Sequence, residues 1–279
     1  PAVAQSAING SKMSITSANI TSPQEDSFVM RMSGLVTDTG PFDAEIEMAG
    51  PIQVYSDGVL LGEMIMDPIS SKAGVGAKLE SSPTFRVTNK EGFGDFSGRM
   101  LRTESFTWTL DGQVNIIAMG MTLTGIRLRK EITMKGMGNF PGPVTVQSMR
   151  LTGGNPDYLV IEMVVGIISP SNVGISVGHV EMDAYYSGHR MGRVIIPDMV
   201  LKPGMNSVSS RMHYAPQDPS AVAAGRDLLS KYVMAQDSVM GVAGTEDSTT
   251  IQSLRPALQA IRFTTVVPGL RNQPLIKQA

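Results

Sequence analysis

The stretch Ile126-Arg127-Leu128-Arg129-Lys130-Glu131-Ile132-Thr133-Met134-Lys135 decides the fold class. Ile126, Leu128, Ile132 and Met134 fall on one face, and Arg127, Arg129, Glu131, Thr133 and Lys135 on the other. That two-residue period belongs to a strand with one dry and one wet face. Phe28, Met30 and Met32 likewise alternate with Val29, Arg31 and Ser33, and Ala44, Ile46 and Met48 with Asp43, Glu45 and Glu47. Further along, Val180, Met182, Ala184 and Tyr186 oppose His179, Glu181 and Asp183. Turn signals separate the runs at Thr39-Gly40-Pro41, Ser56-Asp57-Gly58, Gly153-Gly154-Asn155-Pro156 and Lys202-Pro203-Gly204. Short alternating strands between frequent turns predict an antiparallel β-sandwich.

The chain also repeats itself after about 130 residues. Ser17–Thr21 aligns with Ser148–Thr152, and Gly34-Leu35-Val36 with Gly166-Ile167-Ile168. Tyr55-Ser56 and Gly62 align with Tyr186-Ser187 and Gly192, Gly98–Leu101 with Gly225–Leu228, and Gly112 with Gly244. Five landmarks in register imply duplication. Both copies break pattern at one place: Phe93, Phe96, Met100 and Leu101 have helical spacing after Thr88 or Asn89 as N-cap, as do Val222, Leu229, Tyr232 and Val233 after Pro219-Ser220. A short helix from about Ser253 to Ile261 follows, with Pro256 in its first turn. Asn139-Phe140-Pro141-Gly142-Pro143 is the seam. The expected fold is all-β with minor helices, in two homologous sandwiches, 1–140 and 141–279, each with a closing helix and the second with a C-terminal helical segment.

Composition excludes several functions. With 23 Lys+Arg against 25 Asp+Glu, and no basic run, the footprint of a nucleic-acid binder is missing. No apolar run reaches the roughly 18 residues of a membrane span. The absence of cysteine removes disulfides, thiol nucleophiles and cysteine metal sites. The first residue is Pro1, and Pro1–Ser11 lacks a basic-then-apolar signal, so the expectation is a piece of a longer chain.

Ser33–Ala44 followed by Tyr55–Gly62, the helix Gly92–Leu101 with Phe106–Gly112, and Ile251–Leu254 through Thr264–Leu270 resemble a fungal family of unknown function. Its members are large membrane-anchored proteins with repeated lumenal domains. Ser169–Ile175 with Tyr185–Gly192 is similar to the type 2 late-embryogenesis-abundant domain, an immunoglobulin-like sandwich. The resemblance implies two tandem immunoglobulin/fibronectin-like domains, a vacuolar-lumenal or extracellular position, and no catalysis. Some related domains have been proposed to bind lipid along an apolar groove.

Chemistry-bearing motifs are sparse. Gly174-Ile175-Ser176-Val177-Gly178 matches G-x-S-x-G, but a nucleophile elbow needs a strand-to-helix turn, and here it leads into a strand pattern. Gly92, Gly94 and Gly98 lack the βαβ context of a dinucleotide fingerprint and read as a tight helix entry. His179, His189 and His213 match no zinc spacing; His179, Glu181 and Asp183 share a polar strand face, as do Glu45 and Glu47, and a solvated face is the expectation. No catalytic residue, metal or cofactor is assigned. Asn9-Gly10-Ser11 and Asn19-Ile20-Thr21 are sequons, making Asn9 and Asn19 the glycosylation candidates of a secreted glycoprotein.

The 20 methionines stand beside only 8 Phe and 1 Trp. Met30, Met32, Met48, Met64, Met66, Met119, Met121 and Met134 all fall in strand patterns. Flexible thioethers suit promiscuous apolar surfaces, which gives a groove for lipid as one reading and core filling as the other. The functional expectation is a non-catalytic lumenal module that binds lipid. The alternative is a structural repeat that self-assembles or stacks on neighbouring domains.

Overall fold

The structure, a computed structural model, describes residues 1–140 and 144–271. Pro141, Gly142 and Pro143 of the expected seam, and the last eight residues of the expected second domain, lie outside the described residues. In the first half the elements are α1 (Ala2–Gly10), β1 (Lys12–Thr21), β2 (Ser27–Thr37), β3 (Ala44–Met48), β4 (Ile52–Ser56), β5 (Val59–Met64), β6 (Ile69–Ser71), β7 (Ala77–Ser81), β8 (Thr84–Val87), α2 (Lys90–Arg102), β9 (Ser105–Ala118) and β10 (Met121–Lys135). The second half has β11 (Val144–Gly154), β12 (Leu159–Ser169), β13 (Val173–Tyr186), β14 (His189–Leu201), β15 (Gly204–Tyr214), α3 (Pro219–Val233), β16 (Ser238–Ala243), a 3-10 turn (Gln252–Leu254), α4 (Arg255–Gln259) and β17 (Arg262–Val267). The all-β class with minor helices holds.

The sandwich does not. In the second half hydrogen-bonded ladders run β11–β12–β15–β14–β13–β16–β17 and return to β11 through a parallel pair, Val144↔Thr265 and Thr145↔Val266. That is a closed seven-strand barrel, whereas a sandwich leaves its two sheets unbonded to each other. Alternation of apolar and polar residues is the same in both, so the sequence pattern could not separate them. Closure depends on bends: β13 carries register shifts at Ser176/Gly178, Gly178/Val180 and Ala184/Tyr185 that let one strand serve two corners. The first half follows the same circuit, β1–β2–β8–β5–β4–β9–β10, widened by β7, β6 and β3. Its end strands β1 and β10 lie side by side without a ladder, and α1 rests on the β10 edge.

The two circuits match in register. Ala18↔Met32 and Ile20↔Met30 recur 131 residues later as Met149↔Met163 and Leu151↔Ile161. The β-bulge between Ile15 and Ser17 recurs between Val146 and Ser148. Likewise Val54↔Gly62, a bulge, then Tyr55↔Leu60 recurs as Ala184↔Gly192, a bulge, then Tyr185↔Arg190. Tyr55 therefore corresponds to Tyr185, one residue before the Tyr186 that the Tyr-Ser dipeptide suggests. Two-residue turns with both φ values positive close the paired hairpins at Asp57-Gly58 and Ser187-Gly188, the type I′ geometry that suits twisted strands.

Each circuit encloses a core. Phe28 stacks on Phe85 at 4.9 Å in the first, with Phe93, Phe96 and Trp108 around them. The second gathers Val180, Met182, Met191, Val208 and Met212. Asn89 caps α2 by accepting from the Gly92 amide at 2.9 Å, and Asp218 caps α3 by accepting from Ala221 at 2.8 Å. The buried face of α3 is Ala221, Gly225 and Leu228, not the larger Val222, Leu229, Tyr232 and Val233. The hydroxyl of Tyr214 stands where a side chain on Gly225 would go, so only small residues let this helix lie close. Lys130 is the one inner-face position of its strand that the apolar set omits. Its ammonium caps the carbonyl end of α1, donating to Ile8 O and Ser11 O, and burial pushes its pKa down.

Candidate functional site

The feature that joins the two halves is a parallel ladder between β1 and β13: Ala18↔Val173, Asn19↔Gly174 and Ile20↔Ile175. Asn172 fixes its start. The Ala18 amide donates to Asn172 O at 3.1 Å, and Asn172 Oδ1 accepts from the Lys135 amide at 2.8 Å. Its Nδ2 reaches Ile15 O and Thr16 O, both at 3.4 Å, the carbonyls that the β1 bulge turns outward. Ser171 Oγ donates to Lys135 O at 2.6 Å and accepts from the Val173 amide at 2.9 Å. Two consecutive side chains thus hold β1 and β10 of the first half against the second.

Apolar packing completes the joint. Val173 is buried in the first core, and Leu101 and Met137 in the second. Helix α2 lies on α4, where Gly94 faces Pro256 and Gly98 faces Ala260. Between them is an apolar cavity of about 70 Å³, lined from one side by Phe28, Trp108 and Met134 and from the other by Ile175, Met199 and Leu258. Ligand pockets usually measure about 300–1,000 Å³, so this is a packing void. The arrangement can hold two bodies at a fixed angle; it presents no convergent polar groups.

The eight methionines do not line an open groove. Met30, Met32, Met64, Met66 and Met134 are buried core residues, Met48 is half-buried against the same core, and Met119 and Met121 stand in solvent at the β9–β10 hairpin tip. Composition picks out thioethers, but the strands that cover them come from distant sequence. Asn9 and Asn19 are both exposed. Asn9 Oδ1 accepts from Gln5 Nε2 at 2.9 Å, and the Asn19 side chain lies over Gly174 on the joining ladder.

Ser176 sits inside β13, so its surroundings are a strand and not an elbow. The face of His179, Glu181 and Asp183 is taken up by ion pairs. His179 Nε2 lies 3.0 Å from Glu181, Arg193 donates to Glu181 at 2.7 Å, and Arg190 to Asp183 at 2.9 Å. The His179 contact, then Arg193, holds the Glu181 carboxyl below its ordinary range. Among the described residues no group of three His, Cys, Asp or Glu is placed to hold a metal, and no helix is long and apolar enough to cross a membrane. At the far end of the second circuit, Tyr186 donates to Asp227 at 2.6 Å and Lys231 to the Tyr186 oxygen at 2.8 Å, pinning α3 and raising the Lys231 pKa to about 12. Sequence reasoning missed Asn172, Ser171 and the Gly94–Pro256 contact. Comparing the copies could have raised the first two, because copy one has Gly40-Pro41 in their place.

A family model described as "Protein of unknown function (DUF3712)" matches residues 60–184, under half of the chain. No curated protein matches the sequence. Among solved structures, a biofilm-associated protein BSP domain is 9% identical over 95% of this chain and 54% of that one, with a TM-score of 0.19. A β-D-mannosidase from Dictyoglomus thermophilum is 9% identical over 86% of this chain and 29% of that one, with a TM-score of 0.21. The chain spans about half, or less, of the length of these structures.

Proposed function

We propose that this chain is a non-catalytic structural module, two β units of common descent locked end to end. It would serve as a rigid segment of a longer lumenal or extracellular protein. The observation that carries the reading is the β1–β13 ladder with its Asn172 clamp, which turns the two β units into one hydrogen-bonded body. A family of unknown function matches residues 60–184 and names no activity. The kinship to membrane-anchored fungal proteins and to the type 2 late-embryogenesis-abundant domain rests on the motifs quoted above. Lipid uptake gains no support from methionines packed in a core.

The test is whether the halves unfold together. Trp108, the single tryptophan, reports the first core, and amide exchange on peptides from β13 to β15 reports the second. One coincident transition that Val173→Asp splits into two is the expected result. Two separate transitions in the unmodified chain would overturn the reading.

A further inference from the structure

We infer that the edge of β11 from Met149 to Thr152, which has no ladder partner among the described residues, is a docking strand for a further unit of the same fold, which adds its own counterpart of Asn172–Ile175 in parallel. This rests on the structural reading above and extends it by naming the partner and the contact.

Strands β1 and β11 are equivalent in the two circuits. Ladder for ladder, Met149 and Leu151 take the places of Ala18 and Ile20. Those two residues pair with β13 and pack beneath it. In the second circuit the same edge beyond Thr145 has no ladder partner among the described residues. Leu151 faces the core side, opposite Ile161, yet is 62% exposed. The neighbouring strand repeats the contrast. Phe28, Met30 and Met32 are buried, while their counterparts Leu159, Ile161 and Met163 are only half-buried. An apolar strip with outward main-chain groups is therefore left in the place that β13 covers one unit earlier. Edges of this kind are usually blunted by charge, proline or a covering helix; strand addition is the recognition mode they permit.

The other end of the molecule is closed. The counterpart of Val173 is Phe42, but β9 runs on past β4 to pair with Glu45, occupying the edge that β16 leaves free. Helix α1 shields β10, where the Gln5 amide exchanges hydrogen bonds of 2.8 and 3.0 Å with the main chain of Arg127. The first unit thus lacks the strand that a second copy would need to dock head to tail, so extension runs from the second unit only. The partner is a unit built like the second, with its β13-type edge uncovered.

The probe is a fluorescein-labelled peptide, Ser169–Val177, carrying this chain's own docking segment, titrated into the full chain with anisotropy and amide exchange as readouts. Saturable binding is expected, with slowed exchange at Met149 and Leu151. Leu151→Lys, which would bury an unpaired charge, is expected to weaken it about tenfold or more. An Asn172→Ala peptide should also bind more weakly, and an unchanged melting temperature will show that the Leu151→Lys chain is folded. Absence of saturable binding, or binding indifferent to Leu151→Lys, overturns the inference. So does concentration-dependent dimerisation that protects the same amides without peptide, which would make a second copy the occupant. Each of these results leaves the joint unfolding of the two halves as an independent measurement.

Discussion

Gly94 and Pro256 meet so closely across α2 and α4 that a Cβ built on the glycine would lie 2.7 Å from the proline Cγ. One turn along, the same construction on Gly98 meets nothing nearer than 3.8 Å, an ordinary contact. In an open helix, either Gly→Ala change would stabilise by about 0.5–1 kcal/mol through backbone entropy. The two are therefore expected to differ in sign. Gly98→Ala should raise stability within that range. Gly94→Ala should lower it by about 1–3 kcal/mol, because a rigid ring on an overpacked face must move. Urea midpoints at constant m-value check both, and a stabilising Gly94→Ala would show that α4 yields easily.

Asn172 is expected to matter more than its partial exposure suggests. Its side chain receives the Lys135 amide at 2.8 Å and reaches two carbonyls at the β1 bulge. Removing it leaves these groups partly shielded and unpaired, at a cost of about 1–3 kcal/mol. Asn172→Ala should lower the urea midpoint and speed exchange of the Ala18 amide, the first rung of the β1–β13 ladder, more than that of amides in β14. Equal changes in both would mean that the clamp stabilises the second barrel and not the joint.

Oxidation distinguishes a filled core from a groove. Met119, Met121, Met205 and Met234 are each more than half exposed, whereas Met30, Met32, Met64, Met66 and Met134 are buried. Under dilute peroxide the first four should convert to sulfoxide within the folded state, and the other five only after unfolding. Peptide mapping against time gives the order. Early oxidation of Met30 or Met134, which line the void at the joint, would mean that this region opens to solvent.

Strands that alternate on their own were legible: the run from Ile126 to Lys135 shows its period without any neighbour, whereas β12, a near-continuous apolar run from Leu159 to Ser169, shows none. The internal match was legible only in part: Gly62 and Gly192 hold equivalent rungs, whereas Gly34 pairs with Ile15 where Val165 pairs with Val146, so Gly166 lies one residue off the alignment that the sequence suggests. What the sequence left dark depends on partners far away. Whether Met32 sits in a groove or a core is decided by the side chains from distant strands and from α2 that gather with it in one buried cluster, Trp108 and Phe93 among them. Whether two faces make a sandwich or a barrel depends on the two-residue parallel pair Val144–Thr145 with Thr265–Val266. The α3 face misled because small residues carry little hydrophobic weight, yet Ala221 and Gly225 are what permit close approach.

Acid should weaken the outer faces of both β units. Asp111 accepts from Arg127 at 2.7 and 3.2 Å and from Arg129 at 3.3 Å, and the Arg127 contact holds its carboxyl below the ordinary value of 3.8. Glu181 is likewise held below 4.5 by His179 and then Arg193. A carboxyl depressed in the folded state binds fewer protons there than in the unfolded chain, so its contribution is complete above the ordinary value. It is lost as pH falls through the lower, folded-state value. The melting temperature should therefore be insensitive to these groups from pH 7 to about 5, and their contribution should fall away below about 4.5. Partly exposed pairs of this kind contribute about 0.2–1 kcal/mol each, so Asp111→Asn and Glu181→Gln should each lower stability slightly at pH 7 and flatten the acid limb. A double variant whose acid limb is as steep as that of the unmodified chain would place the acid-sensitive carboxylates elsewhere.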